Sequence, residues 1–259
     1  MSVRVDRDGA VVRVLFDRPE RHNAFTTQMY ADLADLVGEL RDDTTARVVV
    51  LRGAGGRAFA AGNEIRDFAG PDADPTAHEA GIRALLRGLL ELPQVTVAAI
   101  EGVCVGGGLA VATHCDLRVA TTGSRFGYPI ARTLGNVLPA AVLYRCAAVF
   151  GESVTRQMLL ASRLVDAERA HAVGALLDVV DPAGLDAAVD DLVAGVLAAS
   201  PATLRATKEQ LLARVDTLEG PPADDERRLA EVYGGDDFAE GVRAFLANEK
   251  PRFGTAGYR

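Results

Sequence analysis

Three consecutive glycines, Gly106–Gly108, are the residues whose type and position most directly suggest chemistry in this chain. They follow the β-branched apolar run Val95–Ile100 and lead into an apolar helical pattern that begins at Leu109. A glycine turn at a helix start leaves backbone N–H groups without partners, and the helix dipole adds partial positive charge behind them. The sequence therefore predicts a site for an anion or an oxyanion at this turn.

The elements that must position this turn alternate between strand and helix early in the chain and are mostly helical later. Hydrophobic patterns predict a β-hairpin with strands at 3–5 and 11–16, a helix capped by Thr26 or Thr27, and a buried strand at 47–52 followed by a loop through residue 63. Pro71–Thr76 has the weakest pattern of the main body. The later predicted elements are helix 78–92, a strand from 95, helix 108–114, strand 116–120, helices 139–149, 153–161, 166–173 and 185–199, a strand at 176–180, and helices from about 200, 223 and 236. This order predicts an α/β fold with parallel strands.

Composition and charge exclude several classes of function. The chain has 259 residues, 49% hydrophobic and 25% charged, which is typical of a globular protein. Its net charge of −8 argues against nucleic-acid binding, and no apolar run approaches the ~20 residues of a membrane span. The cysteines, Cys104, Cys115 and Cys146, are odd in number and have apolar neighbours, which predicts core thiols and a reduced, cytoplasmic setting. No spacing of His or Cys predicts a metal site.

Several short motifs occur along the chain in a recognisable order. They are Arg18–Ala24 (RPERHNA), Phe59–Ile65 (FAAGNEI), Ile100–Gly108 (IEGVCVGGG) with Cys115–Ala120 (CDLRVA), Phe126–Pro129 (FGYP) with Leu134–Gly135, and Asp237–Phe245 (DFAEGVRAF). Together, in order and spacing, they resemble the crotonase (enoyl-CoA hydratase/isomerase) family over about the whole chain.

The resemblance implies a crotonase-like spiral of ββα units with a helical C-terminal region. The predicted boundaries are a core at 1–199 and, at 200–259, a helical region for oligomerisation and pocket closure. It also implies an acyl-CoA substrate, no cofactor beyond the coenzyme A of that substrate, and a homotrimer or dimer of trimers.

The family's oxyanion hole has two backbone N–H donors, which the resemblance places at Asn63 and Gly107. Two such donors in a dry site contribute roughly 3–4 kcal/mol each to a developing negative charge. Glycine at 107 lets an acyl group approach the backbone closely. The simpler alternative is that Gly106–Gly108 only permit tight packing of a helix against a strand.

Two glutamates that hold and activate water in the family's hydration reaction have no counterpart here. The resemblance places them at Ala110 and Ile130, and Asp116 is the only acid between residues 102 and 152. Each general acid or base contributes about 10²- to 10⁴-fold in rate. The sequence therefore predicts a site whose walls carry no acidic side chain, and ordinary 2-enoyl-CoA hydration is not expected.

Other polar residues near the motifs have two interpretations each. Glu64 is a substitute acid or a charge match for a helix start, and Tyr128 is a proton donor or a packing residue. Arg132 pairs with the substrate or forms a structural ion pair, Asn136 hydrogen-bonds an acyl group or is structural, and His114 is a titrating group or a satisfied core histidine. The other substrate- and CoA-binding residues that the resemblance implies are Arg21, His22, Ala24, Ala61, Gly62, Ile65, Gly106, Ala110, Pro129, Ile130 and Leu134.

Two functions remain open from the sequence. The first is an enzyme of the enoyl-CoA hydratase/isomerase type, a lyase or isomerase that stabilises a thioester enolate or oxyanion. The second is a non-catalytic acyl-CoA binding protein or an inactive partner subunit, because the glycines are intact while both acid positions are vacant.

Overall fold

The computed structural model describes residues 2–68 and 74–254, in which the strands form two sheets. The larger sheet has the order β1-β2-β3-β5-β7-β10 and the smaller one β4-β6-β8-β9. The strands are β1 (Val3–Asp8), β2 (Val11–Phe16), β3 (Val48–Gly53), β4 (Ala58–Ala60), β5 (Val95–Ile100), β6 (Val103–Val105), β7 (Leu117–Thr121), β8 (Arg125–Gly127), β9 (Val165–Asp166) and β10 (Asp178–Val180).

The helices follow pairs of strands in the first half of the chain and accumulate in the second half. They are α1 (Thr27–Asp42), α2 (Pro75–Glu91), α3 (Gly107–His114), α4 (Ile130–Thr133), α5 (Ala140–Phe150), α6 (Glu152–Leu160), α7 (Ala167–Ala172), α8 (Leu185–Ala198), α9 (Pro201–Leu218), α10 (Asp225–Tyr233) and α11 (Asp236–Leu246).

Strand pairing shows a repeated ββα unit. After the antiparallel β1–β2 hairpin, strands β2, β3, β5, β7 and β10 pair in parallel in the larger sheet. Each of β3, β5 and β7 is followed directly by a strand of the smaller sheet, where β4, β6 and β8 are parallel. The predicted α/β class, with a parallel sheet and a helical C-terminal region, is confirmed.

The core lies on both faces of the larger sheet, because successive side chains of a strand point to opposite faces. On β3, Val49 and Leu51 belong to the cluster that contains α1, α2 and α3, whereas Val48 and Val50 pack with α8. The strand is therefore apolar throughout its middle, as a buried parallel strand should be. The three cysteines are free and buried, as predicted.

The C-terminal helices contact the core through few residues. Helix α9 has no buried residue, and its Lys208 ammonium donates to Asp116 Oδ2 at 2.6 Å and to the Gln94 carbonyl at 2.7 Å. Phe238 and Val242 of α11 form a small apolar cluster with Ile65. The boundary at 199/200, pocket closure and oligomerisation stay predictions.

The structure corrects several boundaries. The predicted loop after β3 contains β4, whose three residues are too few to show a periodic pattern. Helix α2 begins at Pro75 rather than 78, because the Asp74 carboxylate accepts hydrogen bonds from the Thr76 and Ala77 amides. Residues 74–76 of the weakly patterned segment thus start a helix, while 71–73 lie outside the described residues. The sequence also did not predict α4 and β9.

Helix length and composition bear on membrane insertion. Within the described ranges no single helix is long and apolar enough to span a bilayer. One pair, 182–198 and 201–218, passes that test jointly but is bent by 104°.

His114 is a core histidine that stays neutral. Its side chain is 4% exposed, and its Nδ1 lies 2.7 Å from the Ala110 carbonyl, to which the Nδ1–H tautomer donates. Burial, together with the charges of Arg145 and Arg118, lowers the pKa of His114 to about 4.

We expect His114 to make the protein less stable in mild acid. Because its pKa is lower in the folded chain than in the unfolded chain, stabilisation is complete above about pH 6.5 and is lost toward pH 4. Between pH 7 and pH 5 this histidine alone should lower the free energy of unfolding by about 2 kcal/mol. Urea denaturation of the wild type and of His114→Leu at both pH values tests this. Equal pH dependence in the two proteins would show that His114 does not titrate as described.

Candidate active site

A cavity of about 480 Å³ lies where the start of α3 meets the loop after β4 and the C-terminal helices. Its lining includes Gly107 from α3, Asn63 from the loop, Ile82 from α2, Tyr233 from α10 and Phe238 from α11. A volume of this size suits a small-molecule ligand. Segments far apart in the sequence therefore share one concave site.

Nearly all of the residues predicted to form the site line this cavity. They are Arg21, His22, Ala24, Ala61, Gly62, Asn63, Glu64, Ile65, Gly106, Gly107, Ala110, Pro129, Ile130, Leu134 and Asn136. Their predicted roles rest on the resemblance, and the structure shows only that they share one cavity.

Arg132 is the exception, because it does not line the cavity, and its contact with substrate stays a prediction. Its side chain is exposed on α4 and lies outside the lining. In a helical turn, residues three apart share a face, so Ile130 and Thr133 point into the cavity while Arg132 points out.

In the loop after β4, the Asn63 amide is not hydrogen-bonded to the adjacent segment at Phe25. Asn63 forms an isolated parallel bridge with Phe25, in which the Phe25 amide donates to the Gly62 carbonyl at 2.8 Å and the Glu64 amide donates to the Phe25 carbonyl at 2.7 Å. The N–H of Asn63 itself takes no part in this pairing. Within the described residues it donates no hydrogen bond.

The glycine turn brings a second free amide beside the first loop. Gly106 has φ 53° and ψ −127°, a conformation that residues with a side chain avoid. Gly107 is the first residue of α3, and its amide has no acceptor among the described residues. A Cβ added to Gly62, which has φ +99°, would lie 3.9 Å from the Gly107 nitrogen. An atom that Gly62 lacks would thus be in ordinary contact with Gly107, which places the two loops side by side.

Gly107 and Gly108 lack room for a side chain for different structural reasons. A Cβ on Gly108 would collide with the carbonyl and side chain of Ala60 on β4, so this glycine permits helix–strand packing. A Cβ on Gly107 would instead collide with Asn63 Oδ1 and with the Tyr30 hydroxyl. That hydroxyl donates to Asn63 Oδ1 at 2.7 Å. The packing alternative thus applies to Gly108, whereas Gly107 borders the cavity.

An ion pair joins two segments that border the cavity, the loop after β2 and the loop after β4. The Arg18 guanidinium donates to Glu64 Oε2 at 3.2 Å and to the Ala24 carbonyl at 2.6 Å, and both charged side chains are mostly buried. The negative charge of Glu64 is therefore paired with the positive charge of Arg18. Arg21 and His22, by contrast, are exposed at the entrance.

Glu79 is the site residue that the sequence interpretation missed. It lines the cavity from α2 and is 7% exposed, so the prediction that the walls carry no acid is wrong. The Tyr233 hydroxyl donates to Glu79 Oε2 at 3.0 Å, and Asn136 Nδ2 donates to the Tyr233 oxygen at 3.4 Å. A signal existed in the sequence, because Glu79 precedes Ile82 and Leu86 at helical spacing and so lies on the apolar face of α2.

Burial sets the ionisation of this cluster. Desolvation raises the pKa of Glu79, which the Tyr233 hydrogen bond and the charge of Arg83 partly oppose. Desolvation and the charge of Glu79 also raise the pKa of Tyr30 and that of Tyr233. Tyr128 is fully buried, and its hydroxyl accepts or donates no hydrogen bond within the described part of the chain.

No metal centre is found in the described ranges. They contain no group of three or more His, Cys, Asp or Glu side chains arranged to hold an ion. Asp67, the other acid near the loop, accepts hydrogen bonds from the amide and hydroxyl of Thr27 at 2.8 and 2.9 Å and so fixes the start of α1.

The family model for enoyl-CoA hydratase/isomerase matches residues 6–256. The 1,2-epoxyphenylacetyl-CoA isomerase of Escherichia coli is 31% identical, over 94% of each chain, and the (E)-benzylidenesuccinyl-CoA hydratase of Thauera aromatica is 30% identical, over 98% of this chain and 99% of its own. The crystal structure of an enoyl-CoA hydratase/carnithine racemase from Magnetospirillum magneticum superposes with a TM-score of 0.79 at 32% identity, over 98% of this chain and 96% of that one. The crotonase-like fold predicted from the motifs is confirmed. The chain belongs to the enoyl-CoA hydratase/isomerase family.

Proposed function

We propose that this protein is an enzyme that acts on an acyl-CoA thioester and stabilises negative charge on the thioester oxygen with the amides of Asn63 and Gly107. The observation that carries this proposal is that two adjacent loops line one cavity and that the amides of Asn63 and Gly107 donate no hydrogen bond within the described residues. Membership of the family supports the class of substrate, and the names of both relatives contain a CoA ester.

The character of the cavity supports the orientation of such a substrate. Its entrance has the exposed Arg21 and His22, which suit the phosphates of coenzyme A. Deeper in, apolar side chains such as Ile82, Leu138 and Val142 suit an acyl chain. A thioester placed between these regions lies near the two amides.

The expected chemistry is proton transfer or isomerisation rather than hydration of a 2-enoyl-CoA. Ala110 and Ile130 line the cavity, and neither can activate water. An enolate, in contrast, needs charge stabilisation at oxygen and a single group that moves a proton at carbon. The name of the E. coli relative, an isomerase, is compatible with this class.

The test is to give the purified protein crotonyl-CoA, 3-butenoyl-CoA and phenylacetyl-CoA separately. We expect calorimetry to detect binding of these esters, and mass spectrometry with NMR to detect isomerisation or solvent deuterium in at least one of them. If none of the three esters binds, the proposal is overturned. Binding of all three without chemistry would favour the non-catalytic alternative, and rapid gain of water by crotonyl-CoA would contradict the expected class of reaction.

A further inference from the structure

The cavity contains a carboxylate, that of Glu79, which forms no ion pair with any described cation. Of the described acids that line the cavity, Glu20 lies at the entrance, Glu64 is paired with Arg18, and Glu79 lies in the interior. Arg83, whose charge acts on Glu79, forms its ion pair with Glu226 at 2.5 Å instead. An unpaired carboxylate in a desolvated wall is costly, which is typical of a functional group.

One oxygen of this carboxylate is held and the other is free. Oε2 accepts the Tyr233 hydroxyl at 3.0 Å, and Asn136 Nδ2 in turn donates to the Tyr233 oxygen at 3.4 Å. Oε1 accepts no hydrogen bond from the described residues. The pair therefore orients Glu79 while leaving one oxygen able to exchange a proton.

The carboxylate lines the same cavity as Asn63 and Gly107. Tyr30 connects the two, because its hydroxyl donates to Asn63 Oδ1 at 2.7 Å while the charge of Glu79 acts on its pKa. The ring of His78, next to Glu79 in α2, also packs against Tyr30 with centroids 5.7 Å apart. With the thioester oxygen at the amides, the acyl carbons would share this cavity with Glu79.

We propose that Glu79 is the acid–base group of this site, held in place by Tyr233, and that it moves a proton between carbons of the bound acyl group. The proposal rests on the proposed function, since it requires a CoA ester at the amides. Its position on α2 differs from the two positions, 110 and 130, at which the resemblance places glutamates.

For a 3-enoyl-CoA the step balances without a co-reactant. Glu79 Oε1 takes a proton from C2, and the C–H electron pair forms a C1–C2 double bond as the thioester oxygen becomes negative. The protonated carboxyl then gives its proton to C4, and the electrons return to leave a C2–C3 double bond. The product is the 2-enoyl-CoA isomer of the substrate.

The experiment uses 3-butenoyl-CoA in D₂O with the wild type and Glu79→Gln. We expect the wild type to form crotonyl-CoA, which carries deuterium to the extent that the carboxyl proton exchanges with D₂O before it reaches C4. The variant should be slower by at least about 100-fold, since glutamine cannot accept the proton. Binding of butanoyl-CoA, measured by calorimetry, should change by less than about 3-fold. Glu91→Gln, on the same helix but outside the cavity, is the matched control and should keep wild-type activity.

A second variant tests the positioning role of Tyr233. Tyr233→Phe removes the hydrogen bond that lowers the pKa of Glu79, so the acidic limb of the rate–pH profile should move to higher pH. A structural role alone would lower activity without moving that limb.

The outcomes separate this proposal from the one on which it rests. If no CoA ester binds, both fall. If esters bind but the wild type transfers no proton, the proposal for Glu79 falls and the non-catalytic alternative is favoured. If the wild type transfers the proton and Glu79→Gln keeps its activity, Glu79 is not the acid–base group while the oxyanion proposal stands.

Discussion

Gly107→Pro is expected to lower kcat by about 10²- to 10³-fold on any acyl-CoA that the wild type converts, because it deletes one of two proposed oxyanion donors. Proline is tolerated at the first position of a helix, so α3 itself should still form. The loss should fall mainly on kcat, since the negative charge at oxygen is greatest in the transition state. Steady-state kinetics on the ester that the wild type converts fastest provide the measurement.

Gly107→Ala is the necessary comparison, because any Cβ at this position meets Asn63 Oδ1 and the Tyr30 hydroxyl. Both variants crowd the site, but only proline removes the N–H. If crowding alone inactivates both, the same pair is compared in a background of Tyr30→Phe and Asn63→Ala, which removes the two obstacles and keeps the residue-63 amide. Equal rates for alanine and proline at 107 would contradict the role of this amide.

Asn23→Ala is expected to lower the free energy of unfolding by about 3–5 kcal/mol. Asn23 is fully buried, and its Nδ2 donates to the carbonyls of Ala54 and Ala58 at 2.9 and 2.7 Å while its Oδ1 accepts the Arg18 amide at 3.0 Å. Alanine leaves these buried main-chain groups without partners and places a less suitable residue at φ +55°. Urea denaturation at pH 7 measures the change.

Asn248→Ala is the matched control for the backbone contribution. Asn248 has the same φ of 55° but is exposed at the end of the chain's last described helix. Its substitution should therefore cost less than about 1 kcal/mol. Similar losses for the two variants would show that the left-handed backbone, rather than the buried hydrogen bonds, determines the effect.

The sequence predicted those parts of the fold that have a local pattern. The hairpin, the apolar strand β3 and the glycine turn before α3 are defined by side-chain alternation or by residue type, and each was found. Strand β4 could not be predicted in this way, because its three residues, Ala58–Ala60, are too few to show a period. It also pairs with a strand more than forty positions later.

The site was predicted where main-chain geometry follows from motifs and missed where side chains meet over long distances. Glu79 and Tyr233 are separated by 154 positions, so neither sequence neighbourhood reveals their hydrogen bond. The predicted helix 78–92 also began too late, so that Glu79 lay in its first turn, where an acidic residue is common. The position of Arg132 outside the lining was missed for a related reason, since the one-turn helix α4 that carries it was not predicted.

The contact between the Gly62 and Gly106 loops has a consequence for how this protein can diverge. A peptide N–H is common to every residue except proline, so replacing side chains at 79, 110 or 130 leaves the amides of 63 and 107 in place. In the proposed function, charge stabilisation and proton movement thus depend on separate parts of the chain. A few substitutions in the cavity walls would then change the reaction without removing the two backbone N–H groups that bind the thioester oxygen.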